Sequence, residues 1–132
     1  MSSVFSTAVS GLSAQSQVLS VSAANVVNFR SLGLSPDGTA SRPGAYEPQR
    51  AVLTSTAQGG VRAETRAIDP PSYQSLEPND PDAGVDGTVP RPNVSLEQEF
   101  ATQMIALRAF QANVRVIETQ DRMLGELINL KA

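Results

Sequence analysis

Apolar side chains recur at every seventh position of the first 29 residues, a segment that contains no Asp, Glu, Lys or Arg. The positions are Phe5, Leu12, Leu19 and Val26. A seven-residue apolar repeat is typical of a helix that packs against other helices. Residues 18–27 are the most apolar stretch of this segment, but serines interrupt it, and it is too short to cross a bilayer. We therefore predict a packing helix from about Ser3 to about Val27, ended by Asn28 and Gly33.

This first segment has little intrinsic tendency to form a helix. It is rich in serine, and serine, valine, threonine and asparagine are mediocre helix formers. It also has no pair of opposite charges spaced by four residues to support it. We expect the segment to be largely unfolded on its own, so that packing against other helices must hold it.

The last third of the chain carries a longer apolar pattern along two neighbouring lines. One line is Phe100, Leu107, Val114 and Ile128, and the other is Leu96, Phe110, Ile117 and Leu124. Ser95 and Gln98 have the spacing of a capping box, and glutamates occupy the first turn, where the helix dipole favours anions. We predict a helix from about Leu96 to about Leu130 that forms a coiled-coil-like pair with the first helix.

A further line widens the apolar face of this second helix. It consists of Ala109, Val116, Met123 and Leu130, while arginines at positions 108, 115 and 122 run along a neighbouring line. A two-stranded coiled coil would leave the extra apolar line in water, which favours a surround of several helices. The core of a small monomeric bundle would give the same apolar pattern. The line of arginines is typical of a solvated face with local ion pairs such as Glu118 with Arg122.

The middle of the chain is rich in turn residues. All nine prolines fall within residues 36–92, and seven of the nine glycines fall within residues 33–87. Residues 46–56 and 61–68 alternate in polarity around a Gly-Gly turn, which predicts a β-hairpin. Residues 77–87 have turn chemistry, and the prolines of residues 89–94 indicate an extended approach to the second helix.

The fold class predicted from these patterns is mainly α. The chain divides into an N-terminal helix over residues 1–29, a β-hairpin with a Pro/Gly-rich insert over residues 30–94, and a C-terminal helix over residues 95–132. Because two distant helices share the apolar periodicity, little remains for a compact centre in a chain of 132 residues. We therefore expect the twelve apolar positions on the three seven-residue lines to pack against neighbouring subunits.

Composition excludes several classes of function. The chain has no Cys and no His, so thiol catalysis, a Ser-His-Asp triad and zinc sites built from these residues are excluded. Its net charge is −3 and its basic residues are scattered, which is unlike a nucleic-acid-binding surface. The run from Asp82 to Gly87 begins like a calcium loop, but Gly84 and Asn93 stand where ligands are needed. We expect no enzyme, no cofactor and no metal site.

Three segments together resemble the bacterial flagellar axial proteins, and among them those of the proximal rod. The first segment, residues 8–15 with residues 23–28, resembles the N-terminal helix of these proteins and the asparagine motif that ends it. The second, residues 78–94, resembles their Pro/Asp/Gly run with its Pro-Asn-Val lead-in. The third, residues 108–114, resembles their C-terminal helix. The residues of this chain that carry the match at the asparagine motif and the insert are Asn25, Asn28, Pro81, Asp82, Asp86, Gly87, Pro92, Asn93 and Val94.

The resemblance implies a structural subunit of the flagellar rod that polymerises through its terminal helices and transmits torque across the periplasm. Its implied partners are other copies of itself, other rod subunits and the type III export apparatus, with the surrounding ring proteins as further candidates. No basic residue precedes Arg30, so the sequence predicts export without a cleavable signal peptide. It predicts no membrane span and no nucleic-acid partner.

One alternative from another class fits the same two helices. A helical-hairpin adaptor or chaperone-like protein would bind one partner helix without polymerising. The two hypotheses differ in how helicity depends on concentration, because only the polymer subunit should gain helix on association. A hydrolase that uses Ser and Asp is a third reading, but the chain has no histidine to act as its base.

Overall fold

A computed structural model describes residues 2–31 and 46–131. The elements in chain order are α1 (Ser2–Asn28), β1 (Gln49–Ser55), β2 (Val61–Ala67), β3 (Ser72–Leu76), β4 (Thr88–Pro92) and α2 (Leu96–Lys131). The predicted mainly-α chain with a β-hairpin between two long helices is therefore confirmed in outline. The bounds of both helices agree with the sequence pattern to within a residue or so. Gly33, the predicted helix stop, lies outside the described residues.

Helix α1 buries a stripe of small and polar side chains. The buried residues are Ala8, Gly11, Ala14, Val18, Val21, Ser22 and Asn25. Their spacing of mostly three or four places them on one face of the helix. The helix ends at Asn28, whose carbonyl oxygen accepts hydrogen bonds from the backbone N–H of Ser31 at 3.0 Å and from its hydroxyl at 2.8 Å. The α1 segment therefore buries a seam that is almost free of large apolar side chains.

Helix α2 begins at the predicted serine cap. The hydroxyl oxygen of Ser95 accepts a hydrogen bond from the backbone N–H of Gln98 at 3.4 Å, and the Ser95 carbonyl accepts one from the N–H of Glu99 at 3.0 Å. The reciprocal contact differs from a full capping box, because the Ser95 hydroxyl donates to the Glu97 carboxylate at 2.9 Å. The bond from the Gln98 N–H satisfies a backbone donor that the first turn of a helix would otherwise leave unpaired.

The β strands form two separate two-stranded sheets, β1 with β2 and β3 with β4. The first is the predicted hairpin, closed at its tip by the bond from Gly59 N–H to the Thr56 carbonyl at 3.0 Å. The second was missed: β3 and β4 pair antiparallel with Ser72 opposite Pro92 and Leu76 opposite Thr88. The prolines of β4 explain why the sequence did not predict this second sheet. Proline has no N–H to donate to a strand ladder, so its presence argues against a strand.

Contacts divide the chain into two compact units. Unit 1 consists of Met1–Ser20, Ala51–Glu64 and Ala101–Ala132, and unit 2 of Val21–Arg50 and Thr65–Phe100. Each helix and the first hairpin contribute residues to both units. The three predicted segments at 1–29, 30–94 and 95–132 therefore stay a prediction.

The interior of the chain is small. Among the described side chains, the buried hydrophobic ones are Ala8, Ala14, Val18, Val21, Val89 and Ala106. None of them is Leu, Ile, Met or Phe, although these residue types usually dominate a protein core. Most of the large apolar side chains of α2 are instead exposed.

Candidate subunit interface

In unit 1, α1 and α2 run antiparallel and come close at a glycine. A Cβ atom added at Gly11 would lie 2.7–2.9 Å from the side chain of Asn113. Val4 near the start of α1 lines a cleft with Val116 and Met123, which are further along α2. Because glycine has no side chain, α1 and α2 can approach closely at this point.

The first hairpin lies on α1 in unit 1 through a polar contact. The hydroxyl oxygen of Ser10 accepts a hydrogen bond from the backbone N–H of Val61 at 3.1 Å and donates to the Thr7 carbonyl at 2.7 Å. Gly60, with φ of +102°, brings its backbone so near that an added Cβ would lie 2.5 Å from the Ser10 oxygen. Ser10 therefore has a tertiary role in unit 1, whereas the sequence showed the α1 serines only as poor helix formers.

None of the twelve predicted packing residues is buried within the chain. Phe5, Phe100 and Leu107 are half exposed, and Ile128 is 70% exposed. The others are partly buried, namely Leu12, Leu19, Val26, Leu96, Phe110, Val114, Ile117 and Leu124. The seam that α1 buries within the chain is thus a different set of residues. Contacts of these twelve positions with neighbouring subunits stay a prediction.

Helix α2 exposes apolar side chains on both sides of the face that it buries in unit 1. The buried residue at its centre is Ala106, which is 1% exposed. The exposed apolar residues on either side of this buried face are Met104, Ile105, Leu107, Val116, Met123, Leu127, Ile128 and Leu130. Helix α1 has 27 residues and α2 has 36, so α1 cannot cover this surface. Exposed apolar surface of this kind is typical of interaction sites.

One part of this surface is concave. A cleft of about 360 Å³ is lined by Val4 of α1 and by Arg115, Val116, Thr119, Gln120 and Met123 of α2. Its lining is almost entirely apolar, with Arg115 as the charged member. The cleft is large enough for an apolar side chain, and it has no titratable pair that could support acid-base chemistry.

In unit 2, the amide of Asn25 joins three segments of the chain. Its Nδ2 donates to the Gln49 carbonyl at 2.6 Å and to Oε1 of Glu99 at 2.7 Å. Its Oδ1 accepts from the Gln49 backbone N–H at 3.1 Å and from the Tyr46 hydroxyl at 3.0 Å. Asn25 is only 1% exposed, so these four bonds satisfy a side-chain amide that would be costly to bury unpaired.

One further contact lies beside this asparagine, and burial alters the pKa of one of its partners. The hydroxyl of Ser22, one turn earlier in α1, donates to the Glu99 carbonyl at 3.3 Å. Burial of the Tyr46 hydroxyl, with a smaller effect from the Glu99 carboxylate, raises the pKa of Tyr46. Tyr46 therefore remains a neutral hydrogen-bond donor. The end of α1, the approach to β1 and the start of α2 are thus held together by polar bonds within unit 2.

The Pro/Asp/Gly run forms the loop that connects β3 to β4. Oδ1 of Asp80 accepts from the Asp82 N–H at 2.9 Å, and Oδ1 of Asp86 accepts from the Thr88 N–H at 3.3 Å and hydroxyl at 2.9 Å. Gly87 has a φ of +72° that favours glycine. The exposed Pro81 lies between the two aspartate turns. This is turn chemistry, as the sequence indicated, and the described residues contain no cluster of acidic side chains able to hold a metal ion.

The remaining motif residues close the base of this second sheet. The side chain of Asn93 donates to the Pro70 carbonyl at 3.0 Å, and its backbone N–H donates to the Pro71 carbonyl at 2.9 Å. Pro92 is fully buried, and its carbonyl accepts from the Val94 N–H at 2.9 Å. Asn28 sits elsewhere, where its side chain donates to the Ala24 carbonyl at 2.8 Å. In unit 2 the motif residues therefore support the backbone and form no reactive site.

Both long helices leave apolar side chains exposed, and the polar motif residues mainly form hydrogen bonds with backbone groups. These two features are those of a structural subunit that assembles with others. Neither helix, over its described residues, has a stretch apolar enough to cross a membrane. Residues 85–130 match the model of the flagellar basal body rod FlgEFG protein C-terminal family. The chain is 37% identical to the flagellar basal-body rod protein FlgC of Yersinia enterocolitica, covering 96% of this chain and 95% of that protein.

A second relative agrees with the first over the same length. The FlgC protein of Salmonella typhimurium is 34% identical, again over 96% of this chain and 95% of its own. A shorter match of 49% identity over 39 residues is to the rod protein FlgG of Bacillus subtilis and covers 15% of that protein. The chain belongs to the FlgC family of flagellar basal-body rod proteins, which are structural proteins and not enzymes.

Proposed function

We propose that this chain is a rod subunit that completes its folding by polymerising through α1 and α2, and that the resulting shaft transmits torque across the periplasm. The observation that carries the proposal is the exposed apolar surface of α2, which α1 leaves uncovered. In a family of rod proteins, the natural cover for such a surface is the helices of neighbouring subunits. The adaptor alternative is not favoured by relatives that are named as rod proteins.

The physical basis of torque transmission would be close packing. Large apolar side chains such as Leu107 and Met123 are about half exposed in the single chain. Buried between subunits, each would gain on the order of 1–2 kcal/mol from removal of its apolar surface from water. Close-packed protein interiors are hardly compressible, so rotation at one end of the shaft would reach the other end with little twist.

The proposed partners follow from this role. They are other copies of this chain, other rod subunits, the type III export apparatus during secretion, and the surrounding ring proteins. A first helix with poor intrinsic propensity suits a chain that is exported unfolded, because it opposes export with little local structure. The place of action would be the periplasmic rod.

A pair of charge substitutions tests the proposal. Leu107→Asp and Met123→Asp each alter a side chain that is half exposed in the single chain, so the dilute protein should keep its helix content. In the assembly each would bury an unpaired carboxylate, at a cost of several kcal/mol per copy. We expect both variants to be lost from isolated basal bodies and the cells to be non-motile.

The matched control is Arg108→Asp, which places a carboxylate on the line of exposed arginines at positions 108, 115 and 122. We expect this variant to assemble and support swimming. Normal rods and normal motility in cells that carry Leu107→Asp or Met123→Asp would show that this apolar surface is not a subunit interface.

A further inference from the structure

The two strands of the second sheet in unit 2 differ in burial. In β4, the side chains of Val89, Pro90 and Pro92 are buried. In β3, Tyr73 is 52% exposed and Leu76 is 73% exposed. Strand β4 is therefore the inner strand of this sheet, and β3 is the strand that faces solvent.

The hydrogen bonds at the two ends of this sheet fix its ladder pattern. The N–H of Glu77 donates to the Gly87 carbonyl at 2.9 Å at one end, and the N–H of Asn93 donates to the Pro71 carbonyl at 2.9 Å at the other. Both pairs continue the antiparallel register of β3 and β4. Directly opposed residues in such a ladder alternate between hydrogen-bonded and non-hydrogen-bonded pairs. The odd-numbered residues of β3 therefore bond to β4, and its even-numbered residues do not.

The even-numbered residues of β3 leave their backbone groups at the outer edge. The N–H and C=O groups of Tyr73 and Ser75 point toward β4, whereas those of Ser72, Gln74 and Leu76 point away from it. Within residues 2–31 and 46–131, which the structure describes, no other residue forms a hydrogen bond with these outward backbone groups. A sheet edge of this kind can pair with a further strand.

The outer edge of β4 is blocked. Pro90 and Pro92 stand at two positions whose N–H would point outward, and proline has no N–H. The outward N–H of Thr88 donates to Oδ1 of Asp86 at 3.3 Å. In contrast, β3 contains no proline and no charged residue, which are common features that block an edge strand. Within this sheet, β3 is therefore the strand whose edge offers a row of donors and acceptors.

The chain around β3 is acidic. Residues 67–90 contain five Asp and Glu residues and no Lys or Arg. Glu77, directly after β3, forms an ion pair with Arg91 of β4. Asp69 before β3 and Asp86 after it are exposed. A segment with positively charged side chains would therefore complement this edge, whereas a second copy of the same hairpin would bring the same carboxylates.

We propose that the outer edge of β3 is a docking site for an extended, basic segment of another protein, which pairs with β3 as a third strand. The backbone of that segment would bond to Ser72, Gln74 and Leu76. Its alternate side chains would contact Leu76 on one face of the sheet and Tyr73 on the other. The site uses no residue of α2, so the proposal goes beyond the proposed function and does not depend on how the helices assemble.

Peptide binding to the full-length chain tests the proposal. The probe is a synthetic heptapeptide in which valine alternates with lysine, and the charge control is the same peptide with glutamate in place of lysine. Amide NMR of the dilute, isotope-labelled chain measures chemical shifts and hydrogen exchange before and after peptide is added. Before addition, we expect slow exchange at Tyr73 and Ser75 and fast exchange at Ser72, Gln74 and Leu76.

The lysine peptide should change the outward amides selectively. We expect exchange at Gln74 and Leu76 to slow by about tenfold or more, because their N–H groups become donors in a new ladder. Exchange at Tyr73 and Ser75 should change little, since their N–H groups already bond to β4. The glutamate peptide should bind at least about tenfold more weakly than the lysine peptide.

Two substitutions at Gln74 test the edge itself. Gln74→Pro removes one outward N–H and no bond to β4, in the way that Pro90 does on the opposite strand. We expect it to weaken binding of the lysine peptide by about tenfold or more, while slow exchange at Tyr73 and Ser75 shows that the sheet is intact. Gln74→Val is the matched control, because it keeps the N–H and favours a strand, and it should bind within about twofold of the natural chain.

The proposal is wrong if the lysine peptide leaves exchange at Gln74 and Leu76 unchanged. Equal binding of both peptides would show that charge does not select the occupant, and equal binding by Gln74→Pro and Gln74→Val would place the peptide elsewhere. Slow exchange at Gln74 before any peptide is added would show that the edge is already covered, by a second copy if the protection rises with concentration. The comparisons made on the natural chain decide the question even if Gln74→Pro unfolds the sheet.

Discussion

The two units of this chain are held together by different kinds of interaction. In unit 2, Asn25 makes four hydrogen bonds, Arg91 pairs with Glu77, and Asn93 fastens the base of the β3–β4 sheet. In unit 1, the helices meet at small residues such as Gly11, and much of the apolar surface of α2 stays in water. Unit 2 satisfies its own polar groups, whereas unit 1 leaves most of the large apolar side chains of its part of α2 exposed.

This difference shows how a short chain can form some of its stabilising contacts internally and leave others to be formed with neighbouring subunits. Hydrogen-bonded turns and a buried amide need donors and acceptors at defined positions in space, and here the chain supplies them itself. An apolar face is less demanding, because any complementary apolar surface can cover it. Unit 1 is therefore the part whose apolar surface neighbouring subunits can cover.

The largest effect is expected at the centre of unit 2. Asn25→Ala would leave the Gln49 backbone groups, the Glu99 carboxylate and the Tyr46 hydroxyl without their shared partner. We expect unit 2 to lose about 3 kcal/mol of unfolding free energy, measured by urea denaturation with tyrosine fluorescence. Asn28→Ala is the control, because Asn28 makes one exposed bond to Ala24, and its loss should be below about 1 kcal/mol.

A smaller contrast is expected between two helical glycines in unit 1. Gly11→Ala would force the side chain of Asn113 aside, whereas a Cβ at Gly125 would meet nothing within 4 Å. Gly125→Ala should therefore raise the thermal stability of the helices by about 0.5–1 kcal/mol, as alanine favours a helix. Gly11→Ala should lower it or gain nothing.

Circular dichroism melts at a fixed high concentration compare these two variants. Adding Asn113→Ala to Gly11→Ala removes the obstructing side chain and should restore the gain that alanine normally brings. Equal stabilisation by Gly11→Ala and Gly125→Ala would show that α1 and α2 do not approach closely at this point.

The smallest effect is expected at the β3–β4 loop. Hydrogen bonds from the Thr88 hydroxyl and backbone N–H lower the pKa of Asp86. A carboxyl whose pKa is lowered by folding adds stability above its unfolded pKa, near about 3.9, and loses it as pH falls through the folded pKa. Thr88→Val removes the hydroxyl donor, so an NMR titration should find the pKa of Asp86 closer to the ordinary value. An unchanged pKa would mean that the hydroxyl bond does not form in solution.

Much of the architecture could be predicted from periodicity and turn residues. The repeat containing Leu12 and Leu19 predicted α1, the Ser95 cap gave the start of α2, and the Gly59-Gly60 pair gave the first hairpin. These signals are local, and each follows from the geometry of a single element. The extra apolar line through Val116 and Met123 also predicted a surface too wide for one partner helix.

The tertiary roles of polar residues could not be predicted in the same way. Nothing near Asn25 in sequence shows that its partners are Tyr46, Gln49 and Glu99, because those contacts depend on how distant segments meet. The bond from Val61 to the Ser10 hydroxyl is hidden for the same reason. Residues 89–94 were predicted to be extended, but the pairing of β4 with β3 was missed because Pro90 and Pro92 are poor strand residues.

Amide hydrogen exchange in dilute, verified monomer tests the central claim most directly. Two amides of the same hairpin bond to α1 side chains: Gln49 to Asn25 in unit 2, and Val61 to Ser10 in unit 1. We predict strong protection of Gln49 and weak protection of Val61 and of residues 3–20 in the monomer. In the assembled rod all of them should be protected, because opening unit 1 would then break contacts with neighbours. Equal protection of Val61 and Gln49 in the monomer would contradict the claim that unit 1 is completed by assembly.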